Sequence, residues 1–141
     1  QKIIVWSANS HIARSLTSIN DTTFKNAHPM TENLIKDLSN NEKIYVLGFT
    51  SYKGSAQRIS RGAYDFNQTD DNNFESWINR EKYDFAFLDF AEFNSGKTNS
   101  NVKFFMAPLG HISVQALWNQ MFDGIFYIGQ MAPCVQLDHH P

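Results

Sequence analysis

Three short stretches hold the side chains that could handle a proton or a carbonyl. Ser7-Ala8-Asn9-Ser10-His11 sets small polar residues before an imidazole, the side chain whose unperturbed charge changes near neutral pH. Thr50-Ser51-Tyr52-Lys53-Gly54 adds hydroxyls, a phenol and an amine, and Asp89 and Glu92 add carboxylates. A His, a Tyr, a Lys and two carboxylates at one edge would suffice for general acid/base work. Each group also has a plainer use. His11 could cap a helix or bond its own loop, and Asn9 and Ser10 are ordinary N-cap types. Tyr52-Lys53-Gly54 reads as a turn, and Asp89 and Glu92 could simply end a strand at solvent.

What would position these groups is the apolar run preceding each. Segments 2–6, 43–50, 83–90 and 123–129 read as strands, with 102–106 a shorter fifth stopped by Pro108 and Gly110. Helical spacing falls between them. Leu34, Ile35 and Leu38 share one face of a helix over 32–39, with Pro29 or Thr31 near its start, and that face should pack on a sheet. Phe74, Trp77 and Ile78 mark a helix over 74–82, and Leu117, Trp118 and Met121 one over 112–121, with His111 at its start. Polar stretches 67–73 and 94–101 read as exposed loops. Alternating strands and helices predict an α/β fold: a layered sheet of four to five mostly parallel strands with short helices packed on it. In such sheets ligands gather outside the carboxyl ends of the strands, where the three stretches fall.

Composition narrows the function classes. The 141 residues fit a single domain with enough core, 42% of them hydrophobic and twelve of them Phe. Net charge is −2, with eight Lys/Arg against six acids in residues 1–70 and four against eight after that. This is too mild for a nucleic-acid footprint, and Lys53, Arg58 and Arg61 near Tyr52 and Tyr64 make too small a basic group. No apolar run approaches the roughly 20 residues of a membrane span. Cys134 is a lone cysteine without a basic partner, which excludes an internal disulfide framework and a cysteine-based zinc site. Adjacent His139 and His140 lack metal-ligand spacing on a helix, so no metal is expected. Neither a Walker-type nor a dinucleotide loop occurs, and no cofactor is expected.

Three segments carry a resemblance. Ile3–Arg14, IIVWSANSHIAR, resembles the erythromycin esterase family, where a strand leads into a Trp-Ala-His-Asn-x-His loop. Leu47–Ser55, LGFTSYKGS, is similar to that family's Val-Gly-Phe-Thr-Thr-Tyr-x-Gly segment, and Gln120–Ile128, QMFDGIFYI, to its closing Phe-Asp strand. The resemblance implies metal-independent hydrolysis of a small-molecule ester or lactone, macrolides included, by water activated with histidine and carboxylate groups. It matches Trp6, Asn9 and His11 to the motif's tryptophan, asparagine and second histidine, making His11 the catalytic candidate. Asn9, Ser10, Ser51, Tyr52 and Lys53 become the substrate-binding candidates. Ala8 stands where the family has its first histidine, and alanine can neither carry a proton nor orient a carboxylate.

The family's principal catalytic histidine and its glutamate partners lie upstream of the first segment matched here. The resemblance therefore implies the C-terminal part of a larger protein, inactive by itself, whose missing N-terminal region is a partner. Self-association through a face that region would cover is a second expectation. The competing expectation is a non-catalytic binding or scaffolding domain that kept the fold and lost the chemistry at position 8.

Overall fold

A computed structural model describes residues 3–37, 44–58, 62–96 and 99–133. Its helices are α1 (Asn9–Ile12), α2 (Thr22–Lys25), α3 (Met30–Asp37), α4 (Phe74–Arg80), α5 (Phe90–Ser95) and α6 (Trp118–Met121). Its strands are β1 (Leu47–Arg58), β2 (Gly62–Asn67), β3 (Phe85–Asp89), β4 (Phe104–Met106), β5 (Val114–Ala116) and β6 (Gly124–Met131). A four-stranded sheet runs in the order β2-β1-β6-β3, and β4 and β5 form a separate two-stranded sheet.

The fold is mixed α/β, but the expectation of a mostly parallel sheet is corrected. Only β1 and β6 are parallel in the main sheet, with Phe49 opposite Phe126; β2 on β1 and β3 on β6 are antiparallel. The reason is local. Rather than turning at Tyr52-Lys53-Gly54, β1 continues to Arg58 and pairs with β2 as an antiparallel hairpin, an element absent from the expected strands. Gly54 makes this possible at φ 134°, where a Cβ would lie 2.0 Å from the Met131 carbonyl oxygen.

Segment 3–6 is the second correction: it is not a strand. Ile3, Ile4 and Trp6 are 79%, 91% and 81% exposed, and no described strand pairs with them. The β-branched run supplies propensity, but strand formation needs a neighbouring ladder. The free edge of β1 at Phe49 is taken instead by the Asn9 side chain.

Helix α4 forms where expected, with Phe74 and Ile78 buried, while Trp77 stays exposed. The helix expected over 112–121 is confined to α6, because Gly110 and His111 both take positive φ and feed β5 instead. Helix α3 packs on α1 rather than on a sheet; Thr31 donates to the Ile12 carbonyl, and Leu34 remains exposed. Leu38 lies outside the described residues. The loop expected over 94–101 contains the end of α5 and a 3₁₀ turn at Asn99–Asn101, and in the one over 67–73 Gln68 and Asn73 are buried.

One face of the main sheet holds the core. Gly48, Thr50, Ile125, Tyr127 and Gly129 alternate onto it with Ala86 and Leu88, and Phe74, Trp118, Met121 and Phe122 pack into the same cluster. No helix among the described residues is long and apolar enough to cross a membrane.

Candidate functional site

The segment leading into α1 is fastened to the sheet by two latches. The Asn9 carboxamide donates to the Phe49 carbonyl at 2.5 Å and accepts from the Phe49 N–H at 3.0 Å, as a neighbouring strand would. It also donates to the Pro108 carbonyl at 2.8 Å. The N-cap position falls to Ala8, which offers no side-chain cap, so Asn9 is spent on tertiary contact. The second latch is Arg14, which donates to Asp123 Oδ2 at 2.6 Å and to the Ile44 carbonyl at 2.9 Å. Asp123 Oδ2 also accepts the Val46 N–H at 2.6 Å, tying the entries of β1 and β6 together. Neither Arg14 nor Asp123 was singled out from the sequence. Their place inside two of the three matched segments was the available signal.

These latches join the three segments of the resemblance. Phe49 touches the first through Asn9 and through the Trp6 ring at 5.2 Å, and pairs with Phe126 of the third. Beside them a depression of about 230 Å³ is lined by Ala8, Asn9, Ser10, Phe24, Pro108, Leu109 and Gly110. Ser10 is half-buried there. His11, in the last turn of α1, is exposed and makes no side-chain hydrogen bond among the described residues.

The β1 candidates divide by the strand's alternation. Ser51 and Lys53 lie on one face and Tyr52 on the other, where it packs against the core. Ser51 is buried, its hydroxyl 3.6 Å from Met131 Sδ. Lys53 lines a second depression of about 500 Å³ with Arg80, Lys82, Tyr83 and Asp84. Neither depression is lined by both His11 and Tyr52.

The carboxylates take structural positions. Asp89 caps α5 by accepting the Ala91 N–H at 2.7 Å and also accepts from Tyr45 at 3.2 Å. Burial, then this bond to Asp89, pushes the Tyr45 phenol up to about 12. Glu92 is exposed in the first turn of α5. His111 sits against the hairpin, stacked on Phe66 with ring centroids 3.7 Å apart and 3.0 Å from the Tyr64 hydroxyl through Nδ1. Cys134, His139, His140 and Arg61 lie outside the described residues, as does the side chain of Arg58.

The most deeply buried acid among the described residues is Glu75, which is not one of the candidates above. Glu75 Oε1 accepts from Thr50 Oγ1 and from the Ala107 N–H, while its Oε2 has no hydrogen-bond partner among the described residues. Burial raises its pKa, and hydrogen bonds from Thr50, from the Ala107 N–H and from its own backbone N–H pull the other way without cancelling the effect. Tyr127, opposite Thr50 in the ladder, also has a buried hydroxyl with no hydrogen-bond partner among the described residues, and burial pushes it up to about 12. Among the described residues no group of three His, Cys, Asp or Glu side chains could hold a metal.

No protein-family model matches the chain, and no curated protein does. Two solved structures share its fold. One is described as a succinoglycan biosynthesis protein, with TM-score 0.64 and 19% identity. The other is a Bacillus cereus protein, with TM-score 0.64 and 17% identity. Each match covers 88% of this chain and 32% of the other, so the chain spans about a third of the length of these structures.

Proposed function

We propose that the chain forms the C-terminal α/β part of an erythromycin-esterase-like hydrolase that opens a small-molecule ester or lactone with activated water. The supporting observation is the convergence of the three motif segments. Asn9 joins the first to the second at Phe49, Arg14 joins the first to the third at Asp123, and β1 pairs with β6.

In this reading His11 is the proton-handling group, presented at the surface next to Ser10 of the first depression, while Lys53 lines the second depression. Asn9 has both carboxamide atoms on backbone, so it holds the loop rather than the substrate. Ser51 and Tyr52 likewise shape the wall from buried and half-buried positions. His11 has no acidic partner among the described residues. The carboxylate that would orient it must come from elsewhere in a longer polypeptide, and the 141 residues alone should not hydrolyse anything.

The test is mass spectrometry of a macrolide, which gains one water when its lactone opens, alongside an aryl-ester assay. The polypeptide encoded by the whole reading frame should show turnover that His11→Ala abolishes, and the 141-residue chain should show none. Turnover by the short chain, or turnover of the long one unchanged by His11→Ala, would sink the reading.

A second reading, a binding domain without catalysis, is favoured by one observation: Ala8 lines the depression beside Asn9 and Ser10, whereas His11 does not. Ala8→His in the full-length polypeptide separates the two. A gain in hydrolysis supports the enzyme, and no gain supports the binding domain.

A further inference from the structure

The main sheet has a second face, which the described residues cover only in part: Ser51 is buried and Trp6 lies on Phe49, but the β3 side is open. Phe49 of β1, Phe126 and Ile128 of β6, and Phe85 and Phe87 of β3 alternate onto this side. Phe85 and Phe87 are 63% and 55% exposed. The rings form a row: Trp6 to Phe49 at 5.2 Å, Phe49 to Phe126 at 5.8 Å and Phe126 to Phe85 at 6.3 Å. No charge interrupts the row; Lys53 and Asp89 stand at its ends.

A scattered exposed apolar residue needs no explanation, but a contiguous aromatic face does. The row runs from β1 across β6 to the antiparallel edge strand β3, where its exposed members Phe85 and Phe87 stand; it includes the parallel pair β1–β6, and parallel sheet is the kind that helices cover on both faces. Among the described residues, Trp6 is the aromatic ring laid on this row, and it reaches Phe49. The two solved structures of this fold are chains about two thirds of which lie outside the match.

We propose that this face is the docking surface for a layer of amphipathic helix supplied by the rest of a longer polypeptide, its apolar stripe laid along Phe49, Phe126, Phe85 and Phe87. The proposal rests on reading the chain as part of a larger protein and not on the esterase chemistry. A helix is the fitting occupant because a stripe at i, i+3, i+4 and i+7 matches a flat aromatic row, and helices are what cover parallel strands. A second copy of the chain is the competing occupant.

Thiol labelling tests this without any catalytic readout. Phe87→Cys and, separately, Phe85→Cys are introduced into the 141-residue chain and into the polypeptide encoded by the whole reading frame. Maleimide uptake is mapped by peptide mass spectrometry, which separates the new thiol from Cys134, and circular dichroism checks folding. Both positions are already exposed, so either variant should fold. The expected result is rapid labelling in the short chain and labelling slowed at least roughly tenfold in the long one, as burial under a docked element requires.

Equal rates in both would overturn the proposal. So would a reading frame that adds no further chain, or protection in the short chain accompanied by a dimer in light scattering, which assigns the face to a second copy. If protection is found but the long polypeptide has no hydrolase activity, the docking surface stands and the esterase reading falls.

Discussion

The two faces of the main sheet are built from the same strands, with residues one position apart, and have opposite fates. Ile125 and Tyr127 are fully buried, while their neighbours Phe126 and Ile128 are only partly covered. On β3, Leu88 packs against the core and Phe87 does not. Side-chain type does not separate them, since both faces are apolar. What separates them is what the described residues lay on each: α4, α6 and the β4–β5 pair on one side, and on the other Trp6 over Phe49 and the local cover of Ser51. Burial here is decided by connectivity as much as by hydrophobicity.

The covered face should therefore carry the stability. Ile125→Ala removes a side chain with no exposed surface from a packed cluster and should cost about 2–5 kcal/mol, read from urea unfolding. A cost near that of a surface substitution would mean that the two faces do not differ as described. Next comes the latch that fastens α1 to the sheet. Asp123→Ala leaves the Arg14 guanidinium and the Val46 N–H without their shared acceptor, and charge-assisted bonds of this kind are worth about 1.5–3 kcal/mol. Asp123→Asn should recover part of the loss, because it keeps an acceptor oxygen but not the charge.

A smaller effect, with a sign of its own, comes from the acid buried on the covered face. Glu75 has a folded pKa above its ordinary value of 4.5, so the folded state holds a proton that the unfolded chain releases first. Its neutral form favours folding fully below about pH 4.5, and that contribution is lost as pH rises through the folded pKa. Glu75→Gln removes the titration and keeps an acceptor for Thr50 and Ala107. The variant's urea midpoint should fall less than the parent's from pH 4 upward. A parallel pH profile for the two proteins would show that Glu75 is not held in its neutral form.

Helix α4 and the strands of the covered face were legible from sequence, because 3.6-residue spacing at Phe74 and Ile78 and apolar runs at 83–90 and 123–129 are local signals, whereas the expected helix over 112–121 holds strand β5 and only a short α6. Strand direction was not. Whether β3 runs against β6 depends on the route of α5 and the two-stranded sheet, and nothing in a strand's own residues encodes it. The hairpin was lost to Tyr52-Lys53-Gly54, whose turn-like composition hides a strand crossing a glycine at φ 134°. At the site, Asn9 was legible as important but not as a latch, since its target is a backbone group forty residues away. Residues 3–6 misled for the reason that makes the open face informative: they carry strand propensity without a strand among the described residues to pair with.

The open face should be nearly silent in stability, and this is where the comparison is most exposed to failure. Phe87 keeps more than half its surface in water, so Phe87→Ser forfeits little burial and should change the unfolding free energy by no more than about 0.5 kcal/mol. What should change is docking. In the long polypeptide Phe87→Ser should speed maleimide uptake at Phe85→Cys, while the urea midpoint of the 141-residue chain stays put. A loss comparable to that of Ile125→Ala would mean that the row is already covered within these 141 residues, and the asymmetry between the faces would disappear with it.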